Sequence, residues 1–293
     1  MFVVFGATGQ TGSVVADTLL EKKLPVRVVL RSDKTADAWQ AKGADVAFAD
    51  VIDADAITKA LDGAIAVYAM NPPAYQAADM FTVAKNIGAA YVEAIAQSSV
   101  QKVILLSSVG SQHATGTGNI MTTYLLENIF GNLAIPVAFL RAAGFMENWN
   151  GVAAIAAEKG ILPSFYNPLD RKLPMVAAAD IGRAAAEALT EDWTGKRIIE
   201  LYGAADYSPN DVAAAFAAAL KRDVQAVALP ESEWQATIAS FGFSPEAVNS
   251  YSEMMRGFNS GHIVFENNGT ETRKGQTTIE DFAAKTAKAQ NLI

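Results

Sequence analysis

The feature that most constrains this chain is Gly6-Ala7-Thr8-Gly9-Gln10-Thr11-Gly12, which follows the apolar run Phe2–Phe5 directly and opens into Val14, Val15, Leu19 and Leu20 at helical spacing. Strand, tight turn and helix in that order make a β–turn–α unit, and the three glycines have separate roles in it. Gly6 permits the turn, Gly9 lets a pyrophosphate approach the backbone, and Gly12 lets the helix pack close to the strand. Free amides and the positive end of the helix then face the phosphates, which makes Gly6, Thr8, Gly9, Gln10, Thr11 and Gly12 candidate cofactor-binding residues. An ordinary strand-to-helix loop is the alternative, and the complete strand, turn and helix context argues against it.

The same alternation continues downstream, so the expected fold is α/β: a Rossmann-type doubly wound parallel sheet with a smaller, mostly helical C-terminal lobe. Strands are expected at Phe2–Phe5, Val26–Leu30, Val46–Phe48, Ala64–Ala69, Lys102–Leu106 and Pro136–Leu140, with helices near 10–22, 35–42, 53–61, 76–98 and 119–132 between them. After Arg141 the rhythm changes. A helix carrying Trp149 is expected to about Lys159, and Gly160–Pro163 and Pro168–Pro174 read as loop. Residues 175–202 return to a helix-then-strand pattern, and helices near 209–220, 231–241, 245–258 and 277–289 follow, with a short strand at His262–Phe265. The domain reading is 1–150 for the NAD(P)-binding unit, with 175–202 returning to it, and 151–174 plus 203–293 for a substrate or partner lobe.

Composition narrows the function classes. The 293 residues are 51% hydrophobic and 18% charged with a net charge of −8, which suits a globular fold and gives no basic patch for nucleic acid or an anionic membrane. With no cysteine and two histidines, thiolate chemistry is excluded and no metal site is expected. The stretch from Val103 to Leu126 is interrupted by serines and glycines and cannot span a bilayer, and no export signal precedes Phe2, so a cytoplasmic location is expected. Gly-x-Ser-x-Gly, His-Glu-x-x-His and Walker-type patterns are absent.

Cofactor choice turns on the end of the second strand, where an acid would take ribose hydroxyls. Arg31-Ser32-Asp33-Lys34 stands there instead. The Arg31 guanidinium suits a 2′-phosphate, with Lys34 as a second cation, so NADP(H) is the expected cofactor, although Asp33 could still reach a ribose. Asp50-Val51 can meet the adenine, or Asp50 can cap the next helix. Met70, Asn71 and Pro72 leave the fourth strand, Ser107 and Ser108 end the fifth, and Gly144 and Phe145 follow the sixth; all point at the same crevice. Tyr75, Met146, Asn148, Trp149 and Tyr166 are the substrate-side candidates, together with Phe145 and Met175. Glu147-Asn148 orients a ligand or caps a helix. His113 sits in a glycine-rich loop expected to be mobile, and is either a substrate-site histidine or a solvated one; His262 reads as structural.

Gly6–Gly12, Asp50, Leu106-Ser107-Ser108, Leu140–Asn148, Met175-Val176 with Asp180-Ile181-Gly182, Gly203–Ser208 and Gly275–Phe282 together resemble the NmrA-like group of atypical short-chain dehydrogenases/reductases. That group includes NADPH-binding quinone reductases, a triphenylmethane-dye reductase and non-catalytic NADP(H) sensors. The resemblance implies either an NADPH-dependent reductase of quinone-like or other conjugated acceptors, or a redox-sensing regulator acting through a protein partner. No Tyr-x-x-x-Lys pair occurs. Alignment from Arg141 and Glu127 puts Thr123 where similar proteins carry Lys or His, and Asn119 in the Tyr place. His113, Tyr124 and Thr123 are thus the remaining catalytic candidates, and the catalytic residue is left unassigned. A homodimer stays open.

Overall fold

The computed structural model describes all 293 residues. In chain order its elements are β1 (Phe2–Phe5), α1 (Gly12–Glu21), β2 (Val26–Leu30), α2 (Ala36–Ala41), β3 (Asp45–Phe48), α3 (Ala54–Ala60), β4 (Ala66–Ala69), α4 (Met80–Ala96), β5 (Lys102–Ser108), α5 (Met121–Phe130) and β6 (Val137–Ala142). There follow β7 (Gly144–Phe145), α6 (Ala153–Lys159), β8 (Ile161–Ser164), β9 (Leu173–Val176), α7 (Ala178–Thr190), β10 (Lys196–Tyr202), β11 (Asp206–Tyr207), α8 (Pro209–Leu220), β12 (Gln225–Ala228), α9 (Glu231–Ala239), α10 (Pro245–Ser260), β13 (Glu271–Lys274) and α11 (Ile279–Ala289).

Eight strands form one sheet in the order β13-β10-β6-β5-β4-β1-β2-β3, and every pairing in it is parallel. Both faces are covered, which is why the strands read as continuous apolar runs. Alternate residues serve opposite layers: Phe2 and Val4 pack with Val15, Leu19 and Ile181 of α1 and α7, whereas Val3 and Phe5 pack with Ile57, Ile87 and Tyr91 of α3 and α4. Strand order reverses between β1 and β4, and the crevice beyond their carboxyl ends is the place such sheets bind ligands.

α1 and α7 touch at Gly182, where a Cβ would lie 2.5 Å from Val14 Cβ and 2.8 Å from Thr11 O. Glu147 caps α7, both carboxylate oxygens accepting from the Ala178 amide at 3.0 and 2.9 Å. Asp180 accepts from Thr277 N at 2.9 Å and so ties the lead-in of α11 to the same helix. A separate core of Met146, Trp149, Met175, Val212, Phe216, Ile279 and Phe282 builds the second lobe.

Several expectations need correction. Gly160–Pro163 and Pro168–Pro174 are not simply loop: β8 pairs with β12, and β9 bridges β7 and β11. Pro163 is tolerated because β8 has a free edge, whereas Pro174 stands in the central strand β9, opposite Asp206 of β11. His262–Phe265 is not a strand; the strand is β13, whose Glu-Thr-Arg-Lys sequence carries no apolar signal and joins the edge of the main sheet beside β10. The segment around Trp149 is a 3-10 run over Met146–Val152, and α-helix begins only at Ala153. α4 starts at Met80, because the Asp79 side chain accepts from Thr82 N at 2.8 Å and caps it there. No helix is long and apolar enough to cross a membrane.

Candidate active site

The turn after β1 has the shape its glycines suggest. Gly6 sits at φ +71°, and a Cβ on Gly12 would lie 2.4 Å from Gly6 O and 2.8 Å from Phe5 O, so only glycine fits there. Gly9 N–H donates to Gly6 O at 2.8 Å, while the amides of Thr8, Gln10 and Thr11 donate to nothing in the chain. Thr8, Gly9 and Gln10 are exposed. Thr11 is buried, and its hydroxyl accepts from Tyr68 Oη at 2.9 Å, so it fills the N-cap position of α1 without capping it. No acid occupies the first turn of α1. The result is an uncompensated, outward-facing set of N–H donors at a helix N-terminus.

Arg31 and Lys34 follow β2 as exposed cations without an acidic partner, in contrast to Arg27, which pairs with Asp45 at 2.7 Å. Asp50 is exposed and does not cap α3; that role belongs to Asp53, which accepts from Ala56 N at 2.9 Å, while Asp50 Oδ1 accepts from Ile52 N at 3.2 Å. Val51 is half-buried beside it. Met70 lies over the glycine turn, its Cγ and Sδ both 3.1 Å from where a Gly6 Cβ would be. Asn71 Oδ1 is buried without a partner, and Pro72 is half-buried next to it. Free amides and two unpaired cations around a glycine cradle are a donor set that fits a phosphorylated dinucleotide, and the Asn71 amide oxygen adds an unsatisfied acceptor beside it.

Ser107 and Ser108 do not offer free hydroxyls to this crevice. Ser107 is 3% exposed, and its Oγ donates to Glu127 Oε1 at 2.5 Å and lies 3.0 Å from Ser111 Oγ. Ser108 Oγ turns back to Val109 O at 3.1 Å. Ser111 Oγ is 2.6 Å from Thr123 Oγ1, so Thr123, Ser111 and Ser107 form a hydroxyl chain ending on Glu127. Glu127 also receives Arg141, whose other arm meets Glu266 at 2.7 Å. Burial works against the Arg141 charge, but the bonds to Glu127 and Glu266 outweigh it and raise its pKa. Buried Glu200 holds the loop that carries Glu266, accepting from Glu266 N at 2.7 Å and Thr270 Oγ1 at 2.9 Å. Tyr124 is half-buried on α5, its carbonyl bonded by Asn128.

The His113 loop is tied down. His113 stacks on His262 with ring centroids 4.3 Å apart, Gln112 Nε2 donates to Val264 O at 2.8 Å, and His262 Nε2 is 3.0 Å from Thr115 O. Burial, with the neighbouring His262, lowers the His113 pKa. The two histidines of the chain therefore join the loop after β5 to the segment after α10.

On the substrate side the candidates separate. Met146 and Trp149 are core: Met146 is fully buried, and Trp149 Nε1 donates to Met175 Sδ at 3.4 Å. Asn148 is exposed and bonded to nothing, and Glu147 is committed to α7. Gly144 and Phe145 form the short strand β7 against Met175 and Val176. Tyr75 and Tyr166 face α10. Tyr75 stacks on Phe243 at 4.5 Å, Phe243 meets Tyr251 at 5.9 Å, and Tyr166 packs edge-on to Phe258 at 5.7 Å. Burial pushes Tyr166 up to about 12 and raises Tyr75 and Tyr251 as well. Tyr251 and Phe243 escaped sequence reading, because only the packing of α10 brings them here. Ser244 N donates to Tyr75 O at 2.8 Å and Met80 N to Glu246 Oε2 at 2.8 Å, which fastens the start of α10 to the segment after β4.

The model of the NmrA-like family matches residues 1–283. An NAD(P)H azoreductase of Xenophilus azovorans is 26% identical over 257 residues, covering 87% of this chain and 86% of its own length. Quinone oxidoreductase 2 of Escherichia coli (strain K12) is 28% identical over 250 residues, covering 83% and 82%. Among solved structures, the NADPH-dependent quinone oxidoreductase of Escherichia coli complexed with NADPH superposes with a TM-score of 0.79 at 23% identity, covering 97% of this chain and 99% of that one. The Citrobacter sp. triphenylmethane reductase complexed with NADP(H) gives 0.80 at 18% identity, covering 98% and 99%. At these identities the structural likenesses establish a shared fold.

Proposed function

We propose, from the premise that the chain belongs to the NmrA-like family, that it is an NADPH-dependent reductase passing hydride to a quinone-like or azo acceptor. The observation that carries this reading is the glycine cradle with free amides at one end of the crevice and the unpaired Arg31 and Lys34 at the other. Thr8, Gly9, Gln10 and Thr11 would hold the pyrophosphate through their backbone, Arg31 and Lys34 the 2′-phosphate, and Asp50 and Val51 the adenine end. Asn71 offers its unsatisfied Oδ1 near the nicotinamide end. When bound, the reduced nicotinamide supplies the hydride. The names of the azoreductase and quinone oxidoreductase relatives support the acceptor class.

The chain's own residues hold and exclude more than they exchange protons. Asn119 and Thr123 stand where a Tyr-x-x-x-Lys pair would, and Thr123 is bound into the Ser111–Ser107–Glu127 chain. Lack of a general acid typically forfeits roughly 10²–10⁴ in rate, which disfavours simple ketones. Electron-poor conjugated acceptors delocalise the arriving charge and can take their proton from water. The aromatic wall of Tyr75, Phe243, Tyr251 and Tyr166 would stack such a ring and exclude solvent. The acceptor side is thus assigned to 151–174 and 203–293, facing the unit 1–150 with 175–202. A regulator without turnover gains no support from Thr123, since the hydroxyl chain accounts for it.

The test is titration calorimetry with NADPH and NADH, followed by NADPH oxidation against quinones, azo dyes and triphenylmethane dyes. Tight NADPH binding with turnover of at least one class is expected. Binding without any consumption across the panel would remove the reductase reading.

A further inference from the structure

Every buried side-chain polar atom without a partner in this chain lies on the two segments that follow β4 and β5: Asn71 Oδ1, Gln112 Oε1, Thr117 Oγ1, and both Nδ2 and Oδ1 of Asn119. Buried polar groups are nearly always hydrogen-bonded, so a concentration of orphans at one rim of the sheet marks groups that await a ligand. Asn71 belongs to the cofactor end of the crevice, beside Met70 and the glycine turn. Asn119 belongs to the lobe side, and it alone has lost both ends of its amide.

Asn119 cannot swing away to find solvent. It is 7% exposed, its carbonyl accepts from Thr122 Oγ1 at 2.8 Å, and the preceding Gly118 is pressed onto α10, where a Cβ would lie 1.8 Å from Ser250 O. That contact fixes the backbone leading into Asn119 against α10. The Tyr75 phenol is the polar group next to its amide, close enough to be held by it as a weak hydrogen-bond partner but outside good distance and angle, so the amide keeps its capacity for a ligand. A rigid, unsatisfied carboxamide therefore sits by Tyr75, the first ring of the run Tyr75, Phe243 and Tyr251.

We infer that Asn119 is a catalytic residue that receives the acceptor, its Nδ2–H donating to a carbonyl oxygen of a planar quinone as negative charge gathers there. The inference rests on the reductase reading above. In the reaction the quinone gains a hydride, that is, two electrons with one proton, as the nicotinamide is oxidised; one oxygen is left as an oxyanion, and water supplies the second proton to give the hydroquinone. A fixed neutral donor aimed at that oxygen lowers the energy of the charged state without having to give up a proton, and so substitutes for the missing tyrosine.

Asn119→Leu removes both amide ends at nearly constant size, and Asn119→Asp keeps the shape but exchanges the donor for a carboxylate. The probes are 1,4-naphthoquinone and a cationic triphenylmethane dye, whose central carbon takes hydride and leaves no charge on oxygen. The ratio of kcat/KM for quinone over dye is expected to fall about 10²-fold in Asn119→Leu, the usual effect of losing one such donor. In Asn119→Asp the ratio falls at pH 8 and partly recovers towards pH 5, where the acid form can donate. Without cofactor, naphthoquinone binding followed by tryptophan fluorescence weakens about threefold to tenfold in Asn119→Leu, the worth of one neutral hydrogen bond. An unchanged ratio, or equal losses on both acceptors, overturns the assignment. Wild-type protein that binds NADPH but reduces neither acceptor overturns the reductase reading instead, and the quinone-binding comparison then decides Asn119 alone.

Discussion

Arg141 and Glu127 meet in a two-point ion pair, Nε to Oε1 at 2.9 Å and Nη2 to Oε2 at 2.7 Å, with side chains only 4% and 9% exposed. The pair joins β6 to α5, and through Ser107 it also anchors the end of β5. Such a pair specifies an arrangement more than it stabilises one, because two charges leave water to form it. Removing one partner strands the other. Arg141→Met is therefore expected to destabilise the protein by about 3–5 kcal/mol, while Arg141→Met combined with Glu127→Leu costs much less. Urea unfolding of both variants checks this, and a double variant as unstable as the single one would contradict it.

A Cβ at position 12 has nowhere to go. With Gly6 O at 2.4 Å and Phe5 O at 2.8 Å, the obstacle is backbone on both sides, so either the turn or α1 must shift. Gly12→Ala is expected to cost about 1–3 kcal/mol of stability, the range for overpacking, and to weaken NADPH binding because the amides move with the turn. Gly151→Ala is the control, since nothing lies within 4 Å of its Cβ position. Thermal melts and calorimetry of the two variants should part; similar behaviour would show that the turn is soft.

Most of this architecture was legible because the decisive signals are local. Gly6–Gly12 with Val14, Val15 and Leu19, and the doubly buried runs such as Val26–Leu30, carry their meaning within a few residues. What escaped depends on contacts distant in sequence. β13 is held at the sheet edge by the cluster of Arg273, Arg197, Glu191 and Glu271, so its strand pairing rests on charges that give no strand signal along Glu271–Lys274. Ser107 reads as a crevice residue from its place at a strand end, yet Glu127, twenty residues on, takes its hydroxyl. Asn119 showed only as the occupant of a missing tyrosine's place. Its unsatisfied amide is visible once α10 is laid across Gly118.

The stacked histidines make the closure between the β5 loop and the segment after α10 sensitive to pH. Burial lowers the His113 pKa, and the charges of His262 and Arg141 push the same way, while a backbone hydrogen bond at His262 and the Glu266 charge oppose them. The unfolded chain thus binds a proton that the folded chain resists. Stability is full above the ordinary histidine range near pH 6.5 and falls as pH drops through it towards the lowered folded value. Asp180, Glu191 and Asp211 are held below the usual carboxylate range and stay ionised throughout that window. Wild type should therefore lose more stability than His113→Gln between pH 7.5 and 5.5. Parallel melting curves for the two proteins across that interval would refute the coupling.

The proposed preference for NADPH is assigned to Arg31, which no acidic side chain of the protein pairs with. Lys34, the other exposed cation here, lacks the planar fork that grips a phosphate at two points, so Arg31 should contribute more of the discrimination. Arg31→Ala is expected to weaken NADPH binding by about 1–3 kcal/mol, the range for a charge-assisted hydrogen bond on a partly exposed group. NADH, which offers only hydroxyls at that place, should lose little, and Lys34→Ala should fall between. Calorimetric titrations of the three proteins with both nucleotides measure the difference directly. Equal losses for NADPH and NADH in Arg31→Ala would mean that the guanidinium lies on the adenine face rather than on the 2′-phosphate, and the preference would then have to come from elsewhere in the crevice.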